Sequence, residues 1–240
     1  MPETGCLAPS KKAAGKAAKA VVTPAPRMRR VRDRNQGLLL RAAERVFARA
    51  GFAGATVAEI AREAGVPKAN LHYYYPEKRD LYRAVLDNIL ALWLGETDAF
   101  TPEAEPLAAL EAYVRAKMRF SRDYPDASRV FANELLHGAP EIGAYLRGAL
   151  RKLVASKAAV IDAWISEGRI APLDPVHLFF SIWAVTQTYA DFDTQVAAVL
   201  GVRQVSARQH AEATEAAVAL FLRAARPDAV ASRTTSGKLA

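Results

Sequence analysis

The sequence predicts an all-α chain. Apolar residues recur at three- and four-residue spacing over most of the length, helix caps and glycine stops punctuate them, and no convincing run alternates polar and apolar residues as a half-buried strand would. The chain has 240 residues, 51% of them hydrophobic. It can bury two modest cores or one extended helical one, and two domains is the starting expectation.

Residues 1–32 are rich in Lys, Ala and Pro and show no division into a wet and a dry helical face, so they read as a disordered basic arm. From Asp33 the pattern changes. Leu39, Leu40, Ala43, Val46 and Phe47 recur at helical spacing until Gly51, predicting a first helix over about 33–50. Thr56-Val57-Ala58-Glu59 is a capping box, in which the threonine hydroxyl accepts from the Glu59 amide and the carboxylate reaches back. A second helix starts there, carries Val57, Ile60 and Ala61 inward and ends at Gly65. A third covers about 67–74, with Pro67 in its first turn and Pro76 closing it.

The fourth helix, about 77–94, has a broad apolar face of Leu81, Val85, Leu86, Ile89, Leu90 and Trp93. After a break at 101–106, helical patterns cover about 107–122, 125–137, 141–167, 174–200 and 206–225. An arm, two folded domains and a tail follow from this: the arm over 1–32, a first folded domain over 33–80, a second over 81–226, and a flexible tail over 227–240.

Residues 1–34 carry a net +7 of the chain's +8. A basic arm beside a folded domain suits a nucleic-acid partner, because counterion release favours binding without a fixed structure. A solvated leader is the equally weighted alternative.

Other chemistries find little support. One cysteine, Cys6, forms neither an internal disulfide nor a thiolate zinc cage. No apolar run reaches the roughly 20 residues that span a bilayer, and no secretory core is seen, so a cytoplasmic protein away from membranes is expected. His72, His137, His177 and His210 lack paired metal-ligand spacing, and no phosphate-cradling loop or nucleophile elbow occurs, so neither metal nor cofactor is expected. Asp123, Glu134 and Asp191 are conceivable catalytic carboxylates, but helix-end and solvent roles are favoured.

Two short helices joined through Gly65 and packed on a preceding helix form a helix-turn-helix. Gly51-Phe52, Thr56-Val57, Ile60-Ala61, Ala64-Gly65-Val66, Leu71, Tyr73-Tyr74-Tyr75, Pro76, Lys78 and Leu81 together resemble the TetR family of regulators over about 35–82. The third helix then enters the major groove of operator DNA with Lys68, Ala69, Asn70, His72 and Tyr73 outward, while Val66, Leu71 and Tyr75 hold it from behind. Asn70 is the candidate base reader, since its amide pairs with adenine. Tyr73, Tyr74 and Lys78 resemble the family's phosphate-contacting positions, and Thr56 presents its hydroxyl or amide to phosphate. Pro67, His72 and Tyr75 depart from the common pattern, so base preference does not transfer.

In the second domain, Phe120-Ser121-Arg122-Asp123-Tyr124-Pro125, Gly138-Ala139-Pro140, Ile170 to Pro175, Ile182-Trp183-Ala184 and Thr186 to Phe192 resemble the RutR-like branch, which regulates pyrimidine utilisation. That resemblance implies uracil or thymine as effector. A flat ring with alternating donors and acceptors needs apolar faces and a matching polar edge. Trp183 and Gln187 share a helical face, with Tyr189 and Asp191 in the next turn. Phe120, Phe131 and Trp164 are candidate walls, and Arg122 and Asn133 candidate hydrogen-bonding groups. For Trp164 and Trp183 a core role is the favoured alternative; for Arg122, an ion pair with Asp123 is an equally weighted one.

The resemblance also implies a homodimer through a four-helix interface from about 174–194 and 206–225, although Ala211, Val218, Leu220 and Phe221 equally fit the monomer core. The reading is a ligand-responsive repressor. A TetR-type regulator with an unrelated small hydrophobic effector, a pyrimidine-metabolising enzyme and a nucleoid-like protein bound mainly by its arm are the alternatives.

Overall fold

The computed structural model describes the backbone of residues 26–227 and the side chains of residues 36–93 and 97–227. Among the described residues every regular element is a helix. The expected arm up to residue 25 and the expected tail from residue 228 lie outside them.

Helix α1 spans Pro26–Gly54, starting well before the expected 33. Residues 27–36 hold five arginines and neither glycine nor proline, so the backbone has good helix formers where no apolar stripe announces one. Gly51, the expected stop, is a kink with φ 65° and ψ 176°, followed by one more turn. That φ suits glycine.

Helices α2 (Val57–Glu63) and α3 (Lys68–Tyr74) form the helix-turn-helix. Thr56 Oγ1 accepts from the Glu59 amide at 3.1 Å as expected. The reciprocal half of the capping box is replaced, because the Glu59 carboxylate accepts instead from Arg49 at 2.9 Å. A charge-assisted bond outcompetes a neutral amide. Between the helices Gly65 takes φ 67°, and the amides of Gly65 and Val66 donate to the Arg62 and Ala61 carbonyls at 3.1 and 3.0 Å. This Schellman closure fixes the angle at which α3 leaves α2.

Helix α4 (Lys78–Leu94) runs on through a 3-10 turn at Gly95–Ala99 to α5 (Pro106–Asp123) and α6 (Pro125–Leu136). The helix expected over 141–167 is interrupted: α7 (Gly143–Tyr145) passes through a π turn at Leu146–Leu150 into α8 (Arg151–Ser166). The helix expected over 174–200 is two, α9 (Pro175–Asp191) and α10 (Asp193–Val199), parted at Phe192 with φ −120° and ψ 33°. Arg129 explains the break. Its Nε donates to the Ala190 carbonyl at 3.1 Å and its Nη2 to Asp193 at 2.6 Å, satisfying the end of one helix while holding the start of the next. Helix α11 (Ala207–Ala225) begins at a complete capping box of Ser206 and Gln209.

Two buried clusters result. One joins Leu39, Phe47, Ile60 and Leu71 to Leu81, Tyr82, Val85, Leu86 and Ile89 of α4 and to Val130 and Phe131 of α6. Packing therefore runs without interruption across the expected boundary at residue 80. The other joins α5, α8, α9 and α11 around Phe100, Tyr113, Trp164 and Phe179. No described helix is long and apolar enough to cross a membrane.

Candidate nucleic-acid interface and effector cavity

On α3 the sequence separates faces as a short docking helix requires. Leu71 is fully buried, while Lys68, Ala69, Asn70, His72 and Tyr73 are exposed, Tyr73 by 75%. Thr56 is exposed at the start of α2, beside its own cap. Tyr74 is half-buried against the core, and the Tyr73 ring meets it edge-on at 5.3 Å. Tyr75 turns inward, with Gln36 Nε2 and the phenol oxygen 3.1 Å apart, and burial raises its pKa above the ordinary phenol value. His72 Nδ1 lies 3.2 Å from the Pro76 carbonyl. A carbonyl only accepts, so Nδ1 is the donor in this contact.

Lys78 departs from the expected phosphate contact. Its ammonium donates to the carbonyls of Phe52 at 2.7 Å and Ala55 at 3.0 Å, and sits 4.6 Å from the centre of the Phe52 ring. The free carbonyls at the end of α1 attract a cation that would otherwise face solvent. Lys78 thus joins α4 to α1 and positions the head.

A cavity of about 400 Å³ opens between α4, α5, α6, α8, α9 and the π turn. Of the expected ligand residues it brings together Phe131, Trp183 and Gln187. Trp93 forms another wall, with its ring 4.6 Å from Phe131 and the Lys117 ammonium 4.5 Å from its own centre. Trp183 Nε1 donates to the Tyr113 hydroxyl at 2.8 Å, and Lys157 donates to the Phe100 carbonyl at 3.2 Å. Two lysines line the cavity and, among its described lining residues, no carboxylate does. Gln187 lines the cavity, and its amide makes no side-chain hydrogen bond among the described residues.

The other expected ligand residues lie elsewhere. Trp164 is 1% exposed in the second core, its Nε1 donating to the Pro102 carbonyl at 3.3 Å. Phe120 packs on Tyr124 at 5.7 Å, and Arg122 is the ion pair with Asp123, at 2.7 Å. Asn133 is half-buried on α6 without reaching the cavity. Tyr189, two residues beyond Gln187, is rotated by about 200° on the helix and lines a separate open cleft with Arg122 and His210. Asp191 lies a turn past the cavity; its Oδ1 is buried without a hydrogen-bond partner, and burial raises its pKa despite nearby Arg129 and Lys117. Helical phase explains the mismatch, because adjacency in sequence does not put side chains on one face.

Sequence reasoning missed Tyr113, Lys117, Tyr145, Lys157, Phe179 and Phe180 as lining residues, and read Trp93 only as part of an apolar face. One signal was available: Tyr113 and Lys117 stand four apart, as Trp183 and Gln187 do, with the lysine at an otherwise buried phase of α5.

Residues 39–85 match the model for bacterial regulatory proteins of the tetR family, and residues 86–228 match that for the YcdC-like protein C-terminal region. The HTH-type transcriptional regulator RutR of Escherichia coli (strain K12) is 47% identical over 182 residues, 76% of this chain and 85% of RutR. Among solved structures, the transcriptional regulator SCO4942 of Streptomyces coelicolor superposes with a TM-score of 0.60 at 24% identity, covering 78% of this chain and 97% of its own. AibR, solved with isovaleryl coenzyme A and operator DNA, superposes with a TM-score of 0.61 at 18% identity over the same shares. The chain belongs to the TetR family, as a RutR-like DNA-binding transcriptional regulator and not an enzyme.

Proposed function

We propose that the protein is an operator-binding repressor, working in the cytoplasm as a homodimer, that leaves DNA when a pyrimidine base such as uracil or thymine fills the cavity. One observation carries the reading: Trp183 and Gln187 stand together in a cavity that is also lined by Trp93, a residue of the helix that begins at the DNA-reading head. Indole and phenyl faces suit a flat ring. The amide of Gln187 matches the alternating N–H and C=O edge of a pyrimidinedione, and an ammonium donates to a ring carbonyl. The 47% identity to RutR supports the same branch.

At the head, Asn70 reads base edges and Lys68, Tyr73 and Thr56 contact phosphate, with Ala69 and His72 facing the groove and Tyr74 buttressing Tyr73. One such head covers one half-site, so a dimer supplies the second. Of the residues weighed for that interface, Val218 and Phe221 belong to the monomer core, whereas Ala211 and the 56% exposed Leu220 remain available on α11. Ligand then favours a spacing of the two heads that no longer fits successive major grooves, and DNA weakens ligand binding by the same factor.

A larger apolar effector is the competing reading, favoured by the leucine floor of Leu135, Leu146, Leu150 and Leu153. Thermal melting separates the two. Uracil and thymine should raise the melting temperature in a concentration-dependent way and release a selected operator duplex, while adenine and guanine do neither. Stabilisation by acyl compounds alone would overturn the pyrimidine assignment.

A further inference from the structure

A buried carboxylate ties the DNA-reading head to the effector domain. Glu134 on α6 is 3% exposed, and both of its oxygens are engaged. Oε2 accepts from the Tyr82 hydroxyl at 3.0 Å, and Oε1 accepts from the amides of Glu141 at 2.6 Å and Ile142 at 3.3 Å. A carboxylate so deeply placed is tolerated only when donors take its lone pairs, so these three bonds fix one geometry.

The three donors lead to two different parts of the molecule. Tyr82 belongs to α4, and its ring meets Phe47 and Phe52 of α1 at 4.9 Å each, next to the carbonyl of Phe52 that Lys78 holds. The amides belong to the turn after α6, where Ala139 adopts φ 56°, a left-handed backbone that disfavours a residue with a Cβ. The same turn is gripped from α4 by Arg79 and Arg83, which pair with Glu141 at 3.0 and 2.6 Å.

Helix α6 also carries the cavity wall. Phe131 and Leu135, on either side of Glu134, both line it, and Phe131 meets Trp93 of α4. Helices α4 and α6 are therefore joined at two points, Trp93–Phe131 at the cavity and Tyr82–Glu134 nearer the head, which lie eleven residues or about 16 Å apart along α4 but only three residues or about 4.5 Å apart along α6. Two such joints make a lever.

We propose that Glu134 is the positioning residue that couples the two sites: through Tyr82 and the turn it folds, it converts a displacement of α6 at the cavity into a displacement of α4 at the head. An effector that pushes Phe131 or Leu135 moves α6. That helix then either carries Tyr82 with it or breaks the hydrogen bond. The inference rests on the effector reading above for what fills the cavity, but not for the existence of the lever.

The test compares full-length parent, Tyr82→Phe and Glu134→Gln, using uracil and an operator duplex selected by the parent from random sequence. Tyr82→Phe keeps the ring packing and both backbone bonds to the carboxylate, so it decides the matter if Glu134→Gln fails to fold. In the variant, affinity for duplex alone and for uracil alone should stay within about threefold of the parent. The factor by which uracil weakens duplex binding, ordinarily about 5- to 150-fold for coupled sites, should fall to near one. A factor unchanged while the melting temperature drops would reduce the bond to a structural one and overturn the proposal.

If uracil leaves duplex binding by the parent unaltered, the pyrimidine reading fails and the lever is judged from duplex alone. Binding should then change hydrogen exchange at the Glu141 and Ile142 amides in the parent and not in Tyr82→Phe. Equal changes in both proteins, or none in either, would overturn it.

Discussion

The DNA-reading head and the effector cavity are built on different scales of sequence. The head presents its surface from one short helix, held by close neighbours: Thr56 caps α2, Gly65 turns the chain and Leu71 pins α3 beneath its exposed side chains. The cavity draws side chains from α4, α5, α6, α8, α9 and a π turn, and Phe179 belongs to its lining and to the buried core at once. Outward residues of the head can therefore change what is read at little expense in stability. In the second domain the cavity lining and the core share residues, so altering the lining risks the fold.

The sharpest test of that contrast is Trp164→Ala. This side chain was a candidate ligand wall but is core, so truncation should destabilise the protein by about 3–5 kcal/mol in urea unfolding. A loss of uracil response without loss of stability would return it to the ligand site. Asn70→Ala should weaken operator binding by about 1–3 kcal/mol, relax preference at one base pair and leave the melting temperature within a degree or two. A uniform loss across all sequences would instead make Asn70 a phosphate contact.

Gln187→Ala should weaken uracil binding by about 1–2 kcal/mol, the range for one lost hydrogen bond, with operator affinity of the unliganded protein unchanged. Unfolding would show that the amide serves the core. Thr56→Ala, which removes one helix cap, is expected to lower stability by about 1 kcal/mol and operator affinity by a similar amount. An effect on stability alone would confine Thr56 to capping.

The smallest effect is a dependence on pH. Burial raises the Asp191 carboxyl above its ordinary value of 3.8, so the folded state takes up a proton more readily than the unfolded chain. Its stabilising contribution is complete below that ordinary value and is lost as pH rises through the folded one. Asp191→Asn should accordingly be more stable than the parent at pH 7, the gain shrinking on acidification towards pH 4. A gain that does not vary with pH would assign the effect to packing.

Much of the head was legible because its signals are local. Thr56, Gly65, Pro76 and the spacing of Leu39, Val46, Phe47, Ile60 and Leu71 each act within a turn or two. Lys78 was read from the family pattern as facing phosphate, and only the kinked end of α1, brought alongside in space, shows why it turns inward. In the second domain Trp183 and Gln187 were legible as one face because they stand four apart on one helix, and both line the cavity. Lys117 and Lys157 join them across distances that no periodicity encodes.

The sequence alone determined that the chain is helical, where α2 and α3 begin and end, and which side chains α3 exposes, since caps, left-handed glycines and amphipathic spacing are properties of a few consecutive residues. Tertiary structure decided the rest. It divided α9 from α10 through Arg129, placed Trp164 in the core, gathered the cavity and buried Glu134 against Tyr82. The physical reason is one of range: hydrogen bonds and packing between helices depend on phase and distance fixed only when those helices meet.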